Sequence, residues 1–229
     1  MRSACASPKI FGKPLADGPL LRKIDEQSRP DHSRLSADDE CYFLYEYTSG
    51  KNYSFSATNS LIINLKKKPG SGGHQYKFQA ITRSARALAA AINAKWLDGA
   101  TLIPVPPSKA RGDSAYDDRM TQVCREIRAG LDVRELVIQR TSLSAAHESQ
   151  HRPSVEDLLR VYEIDTNLVD PPPRRIGVFD DVLTAGTHFV AMKKILNDRF
   201  PGISISGFFI ARRVFPDPFV EEPGTLPTF

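Results

Sequence analysis

The feature that most constrains the fold is the stretch of residues 176–210, in which the side-chain pattern changes from strand to helix and back to strand. Residues 176–179 form a short apolar run, and Asp180 and Asp181 follow it directly. A turn of small residues then leads into a segment with apolar side chains at helical spacing, and a second apolar run occupies residues 203–210. A strand, a helix and a strand at this spacing are typical of a parallel sheet with a crossover helix. The chain is therefore predicted to be an α/β protein.

Other segments are predicted to supply the rest of the sheet and its covering helices. Residues 41–47 have the aromatic-rich composition of a strand, and residues 100–106 have the pattern of a short buried strand that ends in prolines. Residues 115–130 are predicted to be helical, whereas the apolar run of residues 61–65 is too short to distinguish a helix from a strand. We expect a parallel sheet of about five strands, flanked by helices. The clearest helix covers residues 76–96, where one predicted face carries Phe78, Ile81, Ala85, Leu88, Ile92 and Trp96.

Length and composition indicate one large domain with an appendage. The 229 residues include 41% hydrophobic and 25% charged side chains, which is ordinary for a globular protein. Residues 1–38 are polar and interrupted by prolines, so they are expected to form a loosely ordered arm. Residues 39–75 are expected to form a lid or hood, residues 76–213 the core, and residues 214–229 a C-terminal tail.

Three features bear on the partners and setting of the protein. No apolar run approaches the roughly 20 residues of a membrane span, and the N-terminus lacks the apolar region of a secretory signal, so no membrane partner is expected. Cys5, Cys41 and Cys124 are too few and too scattered for a disulfide framework or a thiolate metal site, which favours a cytoplasmic setting. The formal charge of +4 favours anionic partners such as phosphorylated metabolites.

The acids and the turn that follow the first apolar run are the candidate functional residues. In an open parallel sheet, ligands bind beyond the carboxyl ends of the strands, and Asp180 and Asp181 occupy that place. Residues 184–187 open the predicted helix, where unpaired backbone N–H groups and the helix dipole favour a phosphate. Gly186 permits close backbone approach to such a group. Carboxylates beside a phosphate-binding turn fit a ligand with hydroxyls near a phosphate, such as a ribose 5-phosphate.

The sequence IGVFDDVLTAGTH, residues 176–188, resembles the signature with which type I phosphoribosyltransferases bind 5-phosphoribosyl 1-pyrophosphate (PRPP). Two positions depart from that signature: Gly177 stands where a branched apolar residue is usual, and His188 where a small residue is usual. Residues 102–120 resemble the strand and pyrophosphate-binding loop of ComF-like members, and residues 139–152 resemble their flexible segment. The resemblance covers about residues 80–213.

The resemblance implies a role for each position that matches the motif. Asp180 and Asp181 would bind the ribose hydroxyls, and both, with Lys109, would be catalytic. The peptide bond between Pro106 and Pro107 is a candidate cis bond, because family members often have a non-standard peptide in this loop. PRPP would contact Asp180, Asp181, Val182, Leu183, Thr184, Ala185, Gly186, Thr187 and His188, and its pyrophosphate would contact Pro106, Pro107, Ser108, Lys109 and Arg111.

The implied reaction is the displacement of pyrophosphate from the ribose C1 carbon by a nitrogenous base of unknown identity. Mg²⁺ would be bound through PRPP and water near the two acids, without direct protein ligands. Lys109, with Arg111 or Arg119, would stabilise the leaving pyrophosphate. Residues 140–154 are the candidate mobile loop that excludes water, and Phe209 is a candidate for stacking on the base. Homodimers are common in the family.

Several alternatives remain at the level of sequence. A non-catalytic protein that binds PRPP or nucleotides, or one that serves DNA uptake, would use the same loop. Residues 147–151 spell H-E-x-x-H, the pattern of zinc proteases, but they lack an apolar stripe and Pro153 follows closely. The lysines of residues 66–68 are expected to be solvated charge, and a nucleic-acid patch there is the less favoured interpretation.

Overall fold

The computed structural model describes residues 19–68, 71–142 and 152–216, and a six-stranded sheet forms their centre. The strand order is β1-β2-β8-β7-β3-β4, and every neighbouring pair is parallel except β1 with β2. Strands β5 and β6 form a separate antiparallel pair. The strands are β1 (Arg22–Lys23), β2 (Glu40–Thr48), β3 (Thr101–Pro104), β4 (Asp132–Val133), β5 (Val137–Gln139), β6 (Tyr162–Ile164), β7 (Ile176–Leu183) and β8 (Ile205–Val214).

Helices cover both faces of the central sheet, which confirms the predicted α/β class. The first four helices pack on one face, and the last two pack on the other. No helix in the described part of the chain is long and apolar enough to cross a membrane. The helices are α1 (Ala57–Leu65), α2 (His74–Ala91), α3 (Ala94–Asp98), α4 (Arg119–Ile127), α5 (Val155–Val161) and α6 (Thr187–Arg199).

Aromatic packing under the sheet explains the glycine in the middle of β7. The rings of Phe179 and Phe208 stack with centroids 5.0 Å apart, and the ring of Trp96 lies 4.8 Å from that of Phe208. A Cβ atom at Gly177 would lie 2.8 Å from the ring of Phe179 and 3.0 Å from that of Trp96. A branched side chain at this position would displace these rings, so the departure from the signature at Gly177 follows from core packing.

The helix predicted over residues 76–96 is interrupted. Ile92 has an extended backbone and ends α2, and the side chain of Asn93 accepts a hydrogen bond from the backbone N–H of Lys95 to begin α3. The predicted apolar face is buried apart from Phe78, which is 52% exposed. Phe78 lies in the first turns of α2, next to the buried Lys77, and it is the one member of this predicted face outside the core.

Residues 39–75 were expected to form a lid or hood, but they contribute to the central sheet and its covering helices. Strand β2 pairs in parallel with β8 along almost its whole length, and α1 packs beside it on the face that α2 also covers. The run of residues 61–65 is the second half of α1. The boundary expected at residue 76 therefore runs through one continuous core.

The described part of the N-terminal arm is also packed against the domain. Leu21 and Ile24 are buried, and so are His32 and Leu35 further along. Asp31 accepts a hydrogen bond from the side chain of Arg212, which fixes the segment beside the end of β8. Residues 31–35, here called the N-terminal strap, thereby reach the loop that precedes α6.

Candidate functional site

The two predicted acids, Asp180 and Asp181, lie near the carboxyl end of β7, where the neighbouring strand β3 also ends and α4 begins. A cavity of about 210 Å³ opens there. Its lining brings together residues from the β3–α4 connection, the end of β7 and the C-terminus of α1. The lining residues are Lys66, Val105, Pro106, Pro107, Ser108, Asp117, Asp118, Arg119, Met120, Thr121, Asp180, Asp181, Val182, Thr184 and His188.

Asp181 is held by two cations. Its Oδ2 accepts hydrogen bonds from Nη2 and Nε of Arg119 over 2.6 and 3.0 Å, and its Oδ1 lies 2.9 Å from the Nζ atom of Lys66. The side chain of Asp181 is almost fully buried, which alone would raise its pKa. The two neighbouring cations outweigh burial and hold the pKa of Asp181 well below its usual range. Asp181 is therefore ionised throughout the physiological range.

Asp180 has a different environment from its neighbour. Its Oδ1 accepts a 2.7 Å hydrogen bond from the backbone N–H of Asp181. Burial, together with the negative charge of Asp181, raises the pKa of Asp180 to about 7. Two adjacent carboxyl groups thus differ in protonation near neutral pH, which is a common property of functional sites.

The loop between β7 and α6 has the form of an anion cradle. Gly186 has a φ of +91° and stands directly before the first turn of α6. The backbone N–H groups of Ala185 and Gly186 have no hydrogen-bond acceptor among the residues that the structure describes. The side chains of Thr184 and Thr187 are partly exposed beside them. Free N–H groups at the start of a helix of 13 residues favour an anion.

The N-terminal strap is hydrogen-bonded to this loop. The Nδ1–H group of His32 donates to the carbonyl of Thr184, and the backbone N–H of Arg34 donates to the carbonyl of Ala185 over 2.9 Å. Leu35 packs so closely on Gly186 that a Cβ atom there would lie 2.7 Å from its Cδ2 atom. Burial lowers the pKa of His32, so the imidazole is a neutral donor. The strap therefore fixes the carbonyl groups of the loop and takes up neither of the N–H groups of Ala185 and Gly186.

His188, the second departure from the signature, lines the cavity and contacts a buried tyrosine. Its Nδ1 atom lies 2.8 Å from the hydroxyl oxygen of Tyr162 in β6. Burial lowers the pKa of His188 to about 4, although the charge of Asp181 opposes that shift. The imidazole is consequently neutral at physiological pH, and β6 controls its orientation.

The predicted pyrophosphate loop reaches the cavity with only part of its residues. Pro106, Pro107 and Ser108 line the cavity, whereas Lys109 and Arg111 line a smaller neighbouring pocket. Arg111 forms ion pairs with Glu135 at 2.9 Å and Asp165 at 3.5 Å. The acids that hold Arg111 are therefore Glu135 and Asp165 rather than the two predicted ones.

The expectation of a cis bond between Pro106 and Pro107 is wrong. In the described ranges, the cis peptide bond is the one between Asp170 and Pro171. The trans form is the more stable state of most bonds that precede proline, and the loop reaches the cavity in that form.

Phe209 does not stack on a bound base in this arrangement. Its side chain is 1% exposed, and its ring centroid lies 6.3 Å from that of Phe189 in the core. Because β8 is flanked by β2 and β7 and covered on both faces, residues 208–210 serve packing.

Sequence reasoning missed Lys66 and assigned it to solvated charge together with its neighbours. Nothing local distinguishes it from Lys67 and Lys68, because only tertiary packing brings it to Asp181. Arg119, by contrast, was a predicted candidate, and the structure places it directly on Asp181. The pattern YDDR of residues 116–119 was the available signal.

Two sequence hypotheses lie wholly or mainly outside the described residues. The H-E-x-x-H pattern of residues 147–151 is outside them, and so is most of the candidate mobile loop of residues 140–154. Within residues 19–68, 71–142 and 152–216, no group of three or more His, Cys, Asp or Glu side chains is arranged to hold a metal ion.

No protein-family model matches the sequence, and a comparison with curated proteins finds no relative.

Proposed function

We propose that the chain is a Mg²⁺-dependent phosphoribosyltransferase with the type I fold, which uses PRPP and releases pyrophosphate. The observation that carries this proposal is the placement of Asp180 and Asp181 beside the anion cradle of residues 184–187, at the carboxyl end of β7. A ribose 5-phosphate carries hydroxyls and a phosphate, the two kinds of group that the acids and the cradle can bind. The acceptor is a nitrogenous base of unknown identity.

The residues divide the ligand between the cavity and a small pocket beside it, which is lined by Asp180, Thr184, Gly186, Thr187 and His188. The N–H groups of Ala185 and Gly186 suit the 5-phosphate, since they are unpaired and stand at the start of α6. The carboxylates of Asp180 and Asp181 suit the ribose hydroxyls as acceptors. Residues 106–108 also line the cavity, and in this proposal the pyrophosphate lies against them.

The charge balance of the cavity supports a requirement for Mg²⁺. Four carboxyl groups line it, those of Asp117, Asp118, Asp180 and Asp181, against the two cationic groups of Lys66 and Arg119. A polyanionic ligand would meet net negative charge unless a divalent cation accompanied it. Bound with the ligand, Mg²⁺ supplies charge neutralisation at the leaving pyrophosphate, and the ligand and water provide most of its oxygens.

The chain's own groups would stabilise the transition state of the displacement at C1. The C1–O bond to pyrophosphate breaks as the base nitrogen bonds to C1, so positive charge grows on the ring and negative charge on the leaving group. In this proposal the carboxylate of Asp181 would stabilise the cationic ring, and the guanidinium of Arg119, which lines the same cavity, would stabilise the leaving group.

The test has two stages. Calorimetric titration of PRPP into the full chain, with and without Mg²⁺, should show Mg²⁺-dependent binding at micromolar concentrations. Pyrophosphate release is then measured with a panel of nucleobases. Asp180→Asn should bind PRPP more weakly than the wild type, whereas Asp198→Asn, on the exposed side of α6, should bind equally.

Either stage can contradict the proposal. A folded wild-type chain that binds no PRPP would exclude this ligand for the cavity. PRPP binding without pyrophosphate release from any base would favour a non-catalytic PRPP-binding protein.

A further inference from the structure

Lys66 reaches the candidate site from outside the segment that resembles the phosphoribosyltransferase signature. Its backbone N–H donates to the carbonyl of Ile62 over 3.0 Å and ends α1, so the position of its Cα atom is fixed by that helix. Its ammonium group lies 2.9 Å from Oδ1 of Asp181, on the cavity wall. The side chain remains 44% exposed, which leaves its flexible aliphatic part free to move.

A buried lysine links the chain next to Lys66 to Asp117, which also lines the cavity. Lys77 in α2 is 4% exposed, and its Nζ atom donates to the carbonyl of Lys67 over 2.7 Å. The same Nζ atom donates to Oδ1 of Asp117 over 2.6 Å, and Oδ2 of Asp117 accepts from Arg119 over 2.9 Å. Arg119 and Lys66 then meet on the two oxygens of Asp181, so the interactions close a ring.

This ring places two cations on one carboxylate at the wall of the cavity. Desolvation of a buried ion pair is costly, so an arrangement that holds Arg119 and Lys66 together requires the surrounding contacts that Lys77 and Asp117 provide. The basic residues predicted to bind pyrophosphate, Lys109 and Arg111, line a different pocket. The cavity itself therefore offers Lys66 and Arg119 as its cationic groups.

We propose that Lys66 binds the pyrophosphate group of PRPP, and that its contact with Asp181 is the resting position of the same ammonium group; this inference rests on the proposed function. When the ligand binds, the Lys66 ammonium exchanges one carboxylate oxygen for pyrophosphate oxygens that carry more negative charge. The Oδ1 atom of Asp181 is then free to accept a ribose hydroxyl. Lys77 is a positioning residue, since it acts on Lys66 through the Lys67 carbonyl.

Calorimetry with three probes identifies which part of the ligand Lys66 contacts. Inorganic pyrophosphate and PRPP, each with Mg²⁺, should bind Lys66→Met about tenfold or more weakly than the wild type, as expected for the loss of a charge-assisted hydrogen bond. Ribose 5-phosphate, which lacks the pyrophosphate, should bind Lys66→Met at least as tightly as it binds the wild type. Lys68→Met is the matched control: Lys68 is exposed and belongs to the same run of lysines, so its replacement should leave all three affinities unchanged.

Three further variants keep the test decisive. Lys66→Arg should recover most of the pyrophosphate affinity, because a cation at this place is what the proposal requires. Lys66→Gln keeps a polar tip, and it should show the same loss as Lys66→Met even if the latter melts at a lower temperature. Lys77→Met should weaken pyrophosphate binding less than Lys66→Met does.

The outcomes distinguish this inference from the proposed function. If wild type binds PRPP and Lys66→Met binds pyrophosphate as tightly as the wild type, the role of Lys66 is refuted while the proposed function stands. An equal loss for ribose 5-phosphate would also refute it, since the effect would not belong to the pyrophosphate. If the folded wild type binds neither PRPP nor pyrophosphate, both proposals fail.

Discussion

The backbone N–H of Asp181 donates a hydrogen bond of 2.7 Å to the carboxylate of Asp180, yet the pKa values of the two side chains are shifted in opposite directions. The difference arises because Arg119 and Lys66 both lie on the carboxylate of Asp181. Asp180 is left with burial and with the negative charge of its neighbour. Ionising Asp180 therefore destabilises the fold, although the ionised form is the one that can accept hydrogen bonds from a ligand.

Asp180→Asn is expected to stabilise the protein at pH 8, and Asp181→Asn to destabilise it. The pKa of Asp180 is raised to about 7 in the folded state, so its contribution to stability is present below the unfolded pKa near 4 and is lost as the pH rises toward 7 and above. Replacing it with a neutral amide removes that loss. Thermal unfolding at pH 8 should show a higher melting temperature, by about 2–4 °C for each kcal/mol gained, and the gain should shrink at pH 5.

Asp181→Asn leaves Arg119 and Lys66 without their shared carboxylate. We expect a loss of about 3 kcal/mol, at the low end for a broken buried pair because Lys66 is half-exposed. The pKa of Asp181 is lowered in the folded state, so its contribution is present above pH 4 and is lost only as the pH falls further. Equal shifts for the two variants at pH 8 would contradict this account.

PRPP binding is expected to strengthen between pH 6 and pH 8. A carboxylate accepts ribose hydroxyls better than a neutral carboxyl does, and Asp180 loses its proton near pH 7. The phosphates of the ligand titrate in the same range, so calorimetry on Asp180→Asn provides the necessary reference. The wild-type affinity should rise more steeply than that of the variant. Parallel profiles would show that Asp180 does not titrate in this range or does not contact the ligand.

The acids and the loop before α6 could be predicted from sequence because the chemistry of that segment is local. The run of residues 176–188 contains a strand, two carboxylates and a glycine turn in one continuous stretch, and the structure places them as β7 and the start of α6. Gly177 is a further case: a side chain there would collide with Phe179, which is close in sequence, and with Trp96, which is distant. The departure was visible in the sequence, but its reason was not.

The contribution of residues 39–75 could not be predicted in the same way. Tyr42 of β2 pairs with Phe208 of β8, and no local pattern specifies a partner more than 160 positions away. Lys66 illustrates the same limit for the site, since three consecutive lysines have no periodicity and only the packing of α1 selects the first of them. Lys109 and Arg111 are close in sequence to the predicted loop and line a smaller pocket that shares Pro106 and Pro107 with the cavity, so their contact with pyrophosphate stays a prediction.

The imidazole of His188 is expected to stay neutral at pH 6, with its proton on Nε2. Burial lowers its pKa to about 4, and the hydroxyl of Tyr162, whose own pKa is raised by burial, lies 2.8 Å from Nδ1 as a donor. Nitrogen-15 NMR of the histidine side chains measures both the charge and the tautomer. Tyr162→Phe should remove the tautomer preference and leave the fold intact. A proton on Nδ1 of His188 in the wild type would reverse the assigned direction of this hydrogen bond.

Gly186→Ala is expected to damage both stability and phosphate binding, whereas Gly202→Ala is expected to affect stability alone. Both glycines have positive φ angles, +91° and +78°, so alanine at either costs roughly 1–2 kcal/mol of backbone strain. At Gly202 nothing lies within 4 Å of the added Cβ atom, but at Gly186 it would lie 2.7 Å from Cδ2 of Leu35. The clash pushes the N-terminal strap away from the loop whose carbonyl groups it holds. Thermal unfolding should therefore show the larger loss for Gly186→Ala, and titration with ribose 5-phosphate should show weaker binding for this variant only. Unchanged binding in Gly186→Ala would mean that the N–H groups of this loop do not hold the phosphate.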